Sequence, residues 1–217
     1  SFGKAKELLE IPVERLEEAL VLEKKEGQLL REQVHGEPWI YLSGLWHAEA
    51  GVARSLLELM ESPAPLNILD PESATSWAEK KINLRLSPSQ KQAVKKSANS
   101  KVMVLTGGPG VGKTTIVRVI LELYRQAHLK VVLCAPTGRA AKRLGESCNT
   151  EGKTLHRLLE ADPSTGSFKR NKFEPINADL VVVDEMSMVD ISLMYRLLDA
   201  VPKEAALLLV GDVDQLP

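Results

Sequence analysis

The sequence predicts an α/β fold, a parallel sheet covered by helices on both faces and preceded by a small α+β unit. Three observations point there. From residue 84 onward strand-like and helix-like stretches alternate, with strands at 101–106, 130–135, 179–183 and 205–210 and helices at 113–126, 139–147, 153–160 and 190–199. The strands are continuous apolar runs such as Leu180-Val181-Val182-Val183, the pattern of parallel strands buried on both faces. The first of them runs into Gly107-Gly108-Pro109-Gly110-Val111-Gly112-Lys113-Thr114, a glycine-rich turn between a strand and an amphipathic helix.

Taken in order, residues 1–62 read as the α+β unit, of winged-helix type. Ile11-Pro12 precedes a helical period through Val13, Leu16, Ala19 and Leu20; proline suits a first helical turn, and Gly27 ends the helix. Residues 28–34 and 39–42 are strand-like, joined by His35-Gly36-Glu37-Pro38, a turn by its glycine and proline. Another helix follows over 47–60. Helices with a two-stranded hairpin make a winged helix, a unit that binds DNA in some proteins and braces neighbouring domains in others. Phosphate contacts need clustered lysine and arginine, and no dense basic helix is present, so bracing is the expected role. Residues 63–83 read as a linker carrying Pro63, Pro65 and Pro71, ending in a short helix over 78–83, and 84–217 form the P-loop NTPase lobe.

Composition sets the bounds. The 217 residues suffice for one good core and a smaller appended unit. A hydrophobic content of 44% and a charged content of 26% are those of a globular domain. The longest apolar runs are strand-sized, and no apolar stretch follows the first charge to make a leader, so a cytoplasmic location is expected. Cys134 and Cys148 lack metal-ligand spacing and read as reduced thiols. With 28 Lys and Arg against 29 Asp and Glu, any nucleic-acid binding must come from a local basic surface. A chain that starts at Ser1 and stops at Pro217, directly after a motif-like segment, reads as a piece of a longer protein.

The chemistry concentrates in three places. In the glycine-rich turn, Gly107, Gly108, Gly110 and Gly112 permit tight curvature and close approach of a phosphate. Backbone N–H groups and the positive end of the helix dipole converge there; Lys113 reaches the β- and γ-phosphates, and the Thr114 hydroxyl ligates Mg²⁺. Gly108, Gly110, Val111, Gly112, Lys113, Thr114 and Thr115 are therefore the candidate nucleotide-binding residues. Next, the apolar strand 180–183 ends in Asp184 and Glu185. Placed beside the P-loop strand, Asp184 holds Mg²⁺ and Glu185 orients and deprotonates the attacking water. Acidic strand ends are common on ordinary surfaces, and it is the P-loop upstream that favours hydrolysis. Finally, Ser87-Pro88-Ser89-Gln90 is a complete capping box, which suffices structurally; the Gln90 amide alternatively reads an adenine edge. A polar excursion over 162–178 interleaves Phe168, Lys169, Arg170, Lys172 and Phe173, which suits single-strand binding, although an exposed hairpin without a ligand is the plainer reading.

Together, LSPSQ (86–90), VLTGGPGVGKTT (104–115), APTGRAAKRL (135–144), TLHRLL (154–159), VVVDEMSMV (181–189) and GDVDQLP (211–217) resemble the first motor lobe of superfamily 1 DNA helicases. Within that superfamily the chain resembles the RecD-like branch, the exodeoxyribonuclease V alpha subunit and its stand-alone relatives. The resemblance covers roughly residues 84–217, and APTGRAAKRL, DEMSM and GDVDQLP are far more specific than the P-loop. The N-terminal segment ending in IYLSGLWHAEA is similar to what precedes the motor in that branch.

The resemblance implies a RecA-like lobe that binds ATP with Mg²⁺, and it makes Gln90 an adenine reader as well as a cap. It implies that Pro136, Thr137 and Gly138 contact single-stranded DNA; a hydroxyl and free N–H groups at a helix start suit a phosphate. Arg139, Lys142 and Arg143 then form a basic strip, or equally a solvated face. Thr154 and His156 match a second strand-contacting motif, although by itself His156 is a plain helix histidine. Gln215 matches a sensor of the γ-phosphate, joining Lys113 and Glu185 in the reaction. The implied activity is that of an ATP-dependent DNA helicase or translocase moving 5′→3′ in DNA recombination and repair, with single-stranded DNA and nuclease-complex subunits as partners. The second motor lobe lies outside these residues, and with it an arginine worth ~10³–10⁵ in rate in related NTPases. These residues alone are therefore expected to bind nucleotide weakly and turn over little. An RNA helicase, a packaging ATPase and an ATP-switched binding module are the alternatives; no LSGGQ-like transporter signature is present.

Overall fold

The computed structural model describes residues 10–212. The chain divides into two compact units, and the boundary falls between Gly51 and Val52.

In the first unit, helix α1 (Val13–Lys25) starts after Pro12 and leads to a hairpin of β1 (Leu29–Val34) and β2 (Glu37–Leu42). The hairpin register is Val34 opposite Glu37, so the loop is only His35-Gly36. Both residues have positive φ, 52° and 83°, as a two-residue turn matched to strand twist requires. Trp46 Nε1 donates to Glu32 Oε2 at 3.1 Å, fastening the start of α2 (Ser43–Met60) to β1.

The second unit holds a five-stranded parallel sheet of order β3-β7-β6-β4-β5. Its strands are β3 (Val102–Thr106), β4 (Val131–Ala135), β5 (Gly152–Thr154), β6 (Leu180–Val183) and β7 (Ala206–Gly211). Before β3 come α3 (Pro71–Lys81) and α4 (Pro88–Ala98), and between the strands run α5 (Lys113–Gln126), α6 (Gly138–Cys148), α7 (Leu155–Leu158) and α8 (Ile191–Ala200). Side chains alternate across the pleat, so each buried strand feeds two cores. Leu180 and Val182 of β6, with Leu208 and Val210 of β7, pack under Val117, Ile120, Leu121 and Tyr124 of α5. Val181, Val183, Leu207 and Leu209 face Leu193, Leu197 and Leu198 of α8 and Leu59 of α2. This is the expected α/β sandwich.

Three local differences from the sequence reading have physical causes. The helix expected over 78–83 runs over Pro71–Lys81 instead. Its signal was the N-cap: the Asp70 carboxylate accepts from Glu72 N and Ser73 N at 3.1 Å, and Pro71 sits at the first helical position, where proline is favoured. The stretch read as a helix over 153–160 is a short strand, β5, followed by a helix of only four residues. Gly152 decides this, because Cβ atoms built at Gly152 and Gly145 would strike backbone across the α6–β5 contact, Gly145's meeting Gly152 N and Thr150 O at 2.7 Å. The two glycines let helix and strand touch, which brings Lys153 and Thr154 into register with Cys134 and Ala135. Lastly, the strand ending at Asp184 is not beside the P-loop strand, since β7 lies between β6 and β3.

Candidate nucleotide and nucleic-acid site

A parallel sheet aligns the carboxyl ends of its strands along one edge, where ligands of open α/β sheets bind. Register gives the order along that edge. Thr106 pairs with Gly211, Val183 with Leu209, Cys134 with Val183 and Ala135 with Thr154. The residues that follow each strand therefore stand side by side: the glycine-rich loop after β3, Asp212 after β7, Asp184-Glu185 after β6, Pro136-Thr137 after β4, and Leu155-His156 after β5. Two strand spacings separate β3 from β6, about 10 Å.

The loop is built on backbone freedom and on one side chain from outside it. Gly110 and Gly112 have φ of 76° and 88°, conformations that favour glycine. A Cβ at Gly112 would occupy the place of the Gln90 amide. Gln90 Oε1 accepts from Ser87 N at 2.9 Å, closing the capping box of α4, while its Nε2 donates to Val111 O at 3.1 Å. One side chain thus ends a helix and props the loop. Lys113 Nζ donates to Gly107 O at 2.6 Å and Gly108 O at 2.9 Å, and pairs with the Asp212 carboxylate. Its charge is held at the centre of the loop, where oxygens surround it. Thr114 and Thr115 occupy the first turn of α5, whose N–H groups point at the same place.

At the end of β6, Asp184 N donates to Cys134 O at 2.9 Å, and Asp184 Oδ1 accepts from Glu185 N at 2.9 Å. Glu185 adopts φ 54°, a left-handed conformation that non-glycine residues rarely take and that clusters at functional sites. Its carboxylate accepts from Arg143 on α6 at 2.7 Å, with the glutamate side chain 25% exposed and the arginine 67%. A 3₁₀ turn over Met186–Met188 follows, in which the buried Ser187 hydroxyl finds no hydrogen-bond partner among the described residues.

On the β4–β5 half of the edge both candidate threonines are helix caps. Thr137 Oγ1 accepts from Ala140 N and Thr154 Oγ1 from Arg157 N, each at 3.2 Å. Gly138, Arg139, Lys142 and Arg143 are exposed on α6, and His156 is exposed with its ring 5.9 Å from Phe168. In the excursion Phe168 packs against the α8-side core, whereas Phe173 stays 83% exposed with Lys172 Nζ 5.1 Å from its ring centre. Gln215 lies outside the described residues.

Two neighbours escaped the sequence reading. Asp212 follows an apolar parallel strand, the same signal that marked Asp184, so its place at the edge was legible once β7 was assigned. Arg143 was seen only as part of a basic strip; its pairing with Glu185 joins segments 42 residues apart and needs the fold.

Fold and edge together define a nucleotide-binding protein of the P-loop class. The sequence pattern of the AAA domain family matches residues 90–217, and the chain belongs to that family. In agreement with its motifs, its sequence is similar to those of proteins named RecD and RecD2. It is 43% identical over 183 residues to an ATP-dependent RecD2 DNA helicase of Deinococcus radiodurans, a match covering 84% of this chain and 25% of that protein. It is 37% identical over 204 residues to the RecBCD enzyme subunit RecD of Mycobacterium tuberculosis, covering 82% of this chain and 33% of that one. Among solved structures it is similar to the crystal structure of Pif1 helicase from Candida albicans, with a TM-score of 0.47 and 27% identity over 62% of this chain and 34% of that one. The chain thus spans a quarter to a third of the length of these two curated relatives. Among the described residues no helix is long and apolar enough to cross a membrane.

Proposed function

We propose that the full-length protein is an ATP-dependent DNA helicase or translocase, coupling hydrolysis to 5′→3′ movement on single-stranded DNA in recombination and repair in the bacterial cytoplasm. The observation that carries this reading is the order along the sheet edge. The phosphate loop and carboxylates occupy β3, β7 and β6, and the Pro136–Arg139 and Thr154–His156 segments occupy the adjoining β4 and β5. A motor needs those two halves in contact. The relatives named as RecD2 helicase and RecBCD subunit support the same reading, and the second raises subunits of a nuclease complex as partners.

In this reading Lys113 exchanges its loop carbonyls and Asp212 for β- and γ-phosphate oxygens, and the N–H groups of Gly108 and of Gly110–Thr115 complete the cradle. Gln90, already holding Val111, keeps one amide hydrogen for an adenine edge. Thr114 and Asp184, which follow strands ending at the same edge of the sheet, would hold Mg²⁺, an ion bound by one or two protein groups together with substrate phosphates. Among the described residues no cluster of three or more histidine, cysteine or acidic side chains offers an all-protein cage. Held there, the ion would supply neutralisation of charge on the transferring phosphoryl group. Glu185 accepts the proton of the attacking water, and Gln215 senses the γ-phosphate. Backbone and hydroxyls at Pro136–Gly138 and Thr154, with Arg139 and His156, grip DNA phosphates.

The test is the ATPase of the full-length protein with single-stranded DNA, with RNA of the same sequence, and with neither. DNA should stimulate turnover at least ~10-fold over RNA. Glu185→Gln should bind ATP and lose turnover by two or more orders of magnitude, the loss typical of removing a general base. Equal stimulation by RNA would move the protein to another helicase class, and an active Glu185→Gln enzyme would remove Glu185 from the chemistry.

A further inference from the structure

We infer that Arg143 is a positioning residue for Glu185, and that through it the nucleic-acid half of the edge sets when hydrolysis can occur. The inference rests on the motor reading above and adds the link between its two halves. Glu185 ends β6, on the nucleotide side; Arg143 lies on α6, which follows β4, on the side that carries Pro136–Arg139. These two crossover elements meet in the 2.7 Å bond between Arg143 and the Glu185 carboxylate. A carboxylate oxygen engaged by a guanidinium is turned toward that partner, and the lone pair that would meet a water is already occupied.

The geometry of α6 makes this contact sensitive to DNA. Arg139 and Arg143 are one helical turn apart and share its exposed face, so a phosphate gripped at Arg139 arrives within reach of Arg143. The Arg143 side chain is 67% exposed, and an ion pair so placed is weak. A phosphate, which takes a guanidinium by two parallel hydrogen bonds, can displace the glutamate. Of the neighbouring cations, Lys142 lies 3.8 Å from Glu146 and Lys113 is engaged by the loop carbonyls and Asp212. Once freed, Glu185 stands at the end of β6 with its backbone already in the turn that follows Asp184.

The experiment compares the full-length protein with Arg143→Gln and Arg143→Lys, measuring ATP turnover without nucleic acid, turnover with saturating single-stranded DNA, and ATP affinity. Arg143→Gln should raise DNA-free turnover about 2- to 5-fold, the range an exposed ion pair is worth, and lower the DNA stimulation ratio by the same factor. ATP affinity should not change, and Arg143→Lys should fall between the two. Wild-type DNA-free turnover should also rise with salt, which screens the pair, whereas that of Arg143→Gln should stay flat. A DNA-free rate that is unchanged or lower in Arg143→Gln overturns the inference. A wild-type enzyme that hydrolyses ATP without DNA stimulation removes the motor reading instead, and the DNA-free comparison still decides the role of Arg143. A wild-type protein with no ATPase overturns both.

Discussion

Replacing Gly145 with alanine sets two physical effects against each other. Gly145 lies inside α6, where intrinsic propensity alone favours alanine by about 1 kcal/mol. Packing opposes it: the new Cβ would lie 2.7 Å from Gly152 N and 2.7 Å from Thr150 O, where ordinary contact begins at 3.4 Å. Both obstacles are backbone, so α6 and β5 must separate by about 0.5 Å or more, an over-packing that typically costs 1–3 kcal/mol. With two backbone atoms in the way at 2.7 Å the cost falls in the upper part of that range, about 2–3 kcal/mol, so packing should win and leave Gly145→Ala about 1–2 kcal/mol less stable, or about 3–6 °C lower in Tm for a unit of this size. Gly138→Ala is the control, since nothing lies within 4 Å of a Cβ there, and its stability should stay within about 0.5 kcal/mol of the parent or rise slightly. Urea unfolding followed by far-UV circular dichroism measures both. A Gly145→Ala protein as stable as the parent, or more so, would show that α6 and β5 do not touch as described. The placement of Thr154 beside Ala135 would fall with that contact.

Two further outcomes follow from contacts around the same helix. Arg125 Nη2 donates to Cys148 O at 3.1 Å and Asn149 O at 3.4 Å, and also bonds Thr150 Oγ1, so it satisfies the carbonyls that end α6. Arg125→Ala should cost about 1–3 kcal/mol in the same urea assay, and Arg125→Lys should recover only part of it, because an ammonium lacks the planar fork. Burial pushes the Cys148 thiol up to about 11 and the Cys134 thiol further above its ordinary value. Neither should react with Ellman's reagent within minutes at neutral pH in the folded chain, and both should in urea. The sign of the linkage is set by the same shift. Unfolded thiols ionise from about 9, so the unfolded state loses protons first and stability falls as pH climbs from there toward 11. The loss is at most about 1.4 kcal/mol per thiol per pH unit, and urea midpoints across that window report it.

Much of the fold was legible because the decisive signals are local. Leu180–Val183 is apolar at every position since both of its faces are buried, and the P-loop announces the strand before it and the helix after it. Local signals fail where tertiary contact decides. Gly152-Lys153-Thr154 has no apolar residue, and it is a strand only because two glycines let α6 lie against it. The insertion of β7 between β3 and β6 is a pairing order, which no window of sequence contains. At the site, Lys113, Asp184 and Glu185 could be named from their motifs. What holds them could not: Gln90 under Val111, Asp212 on Lys113 and Arg143 on Glu185 join distant segments. The helix at Pro71–Lys81 was the avoidable miss, because Asp70-Pro71 is a start signal concealed by a proline-rich stretch.

The account turns on Asp184 and the P-loop serving one bound nucleotide across the edge of the sheet. The most direct measurement is ATP affinity with and without Mg²⁺, for the full-length protein and for Asp184→Asn. The parent should bind ATP at least ~10-fold more tightly with the ion, and Asp184→Asn should lose most of that gain, about 1.4 kcal/mol or more, while binding metal-free ATP as the parent does. An Asp184→Asn protein that keeps the full Mg²⁺ effect would contradict the account.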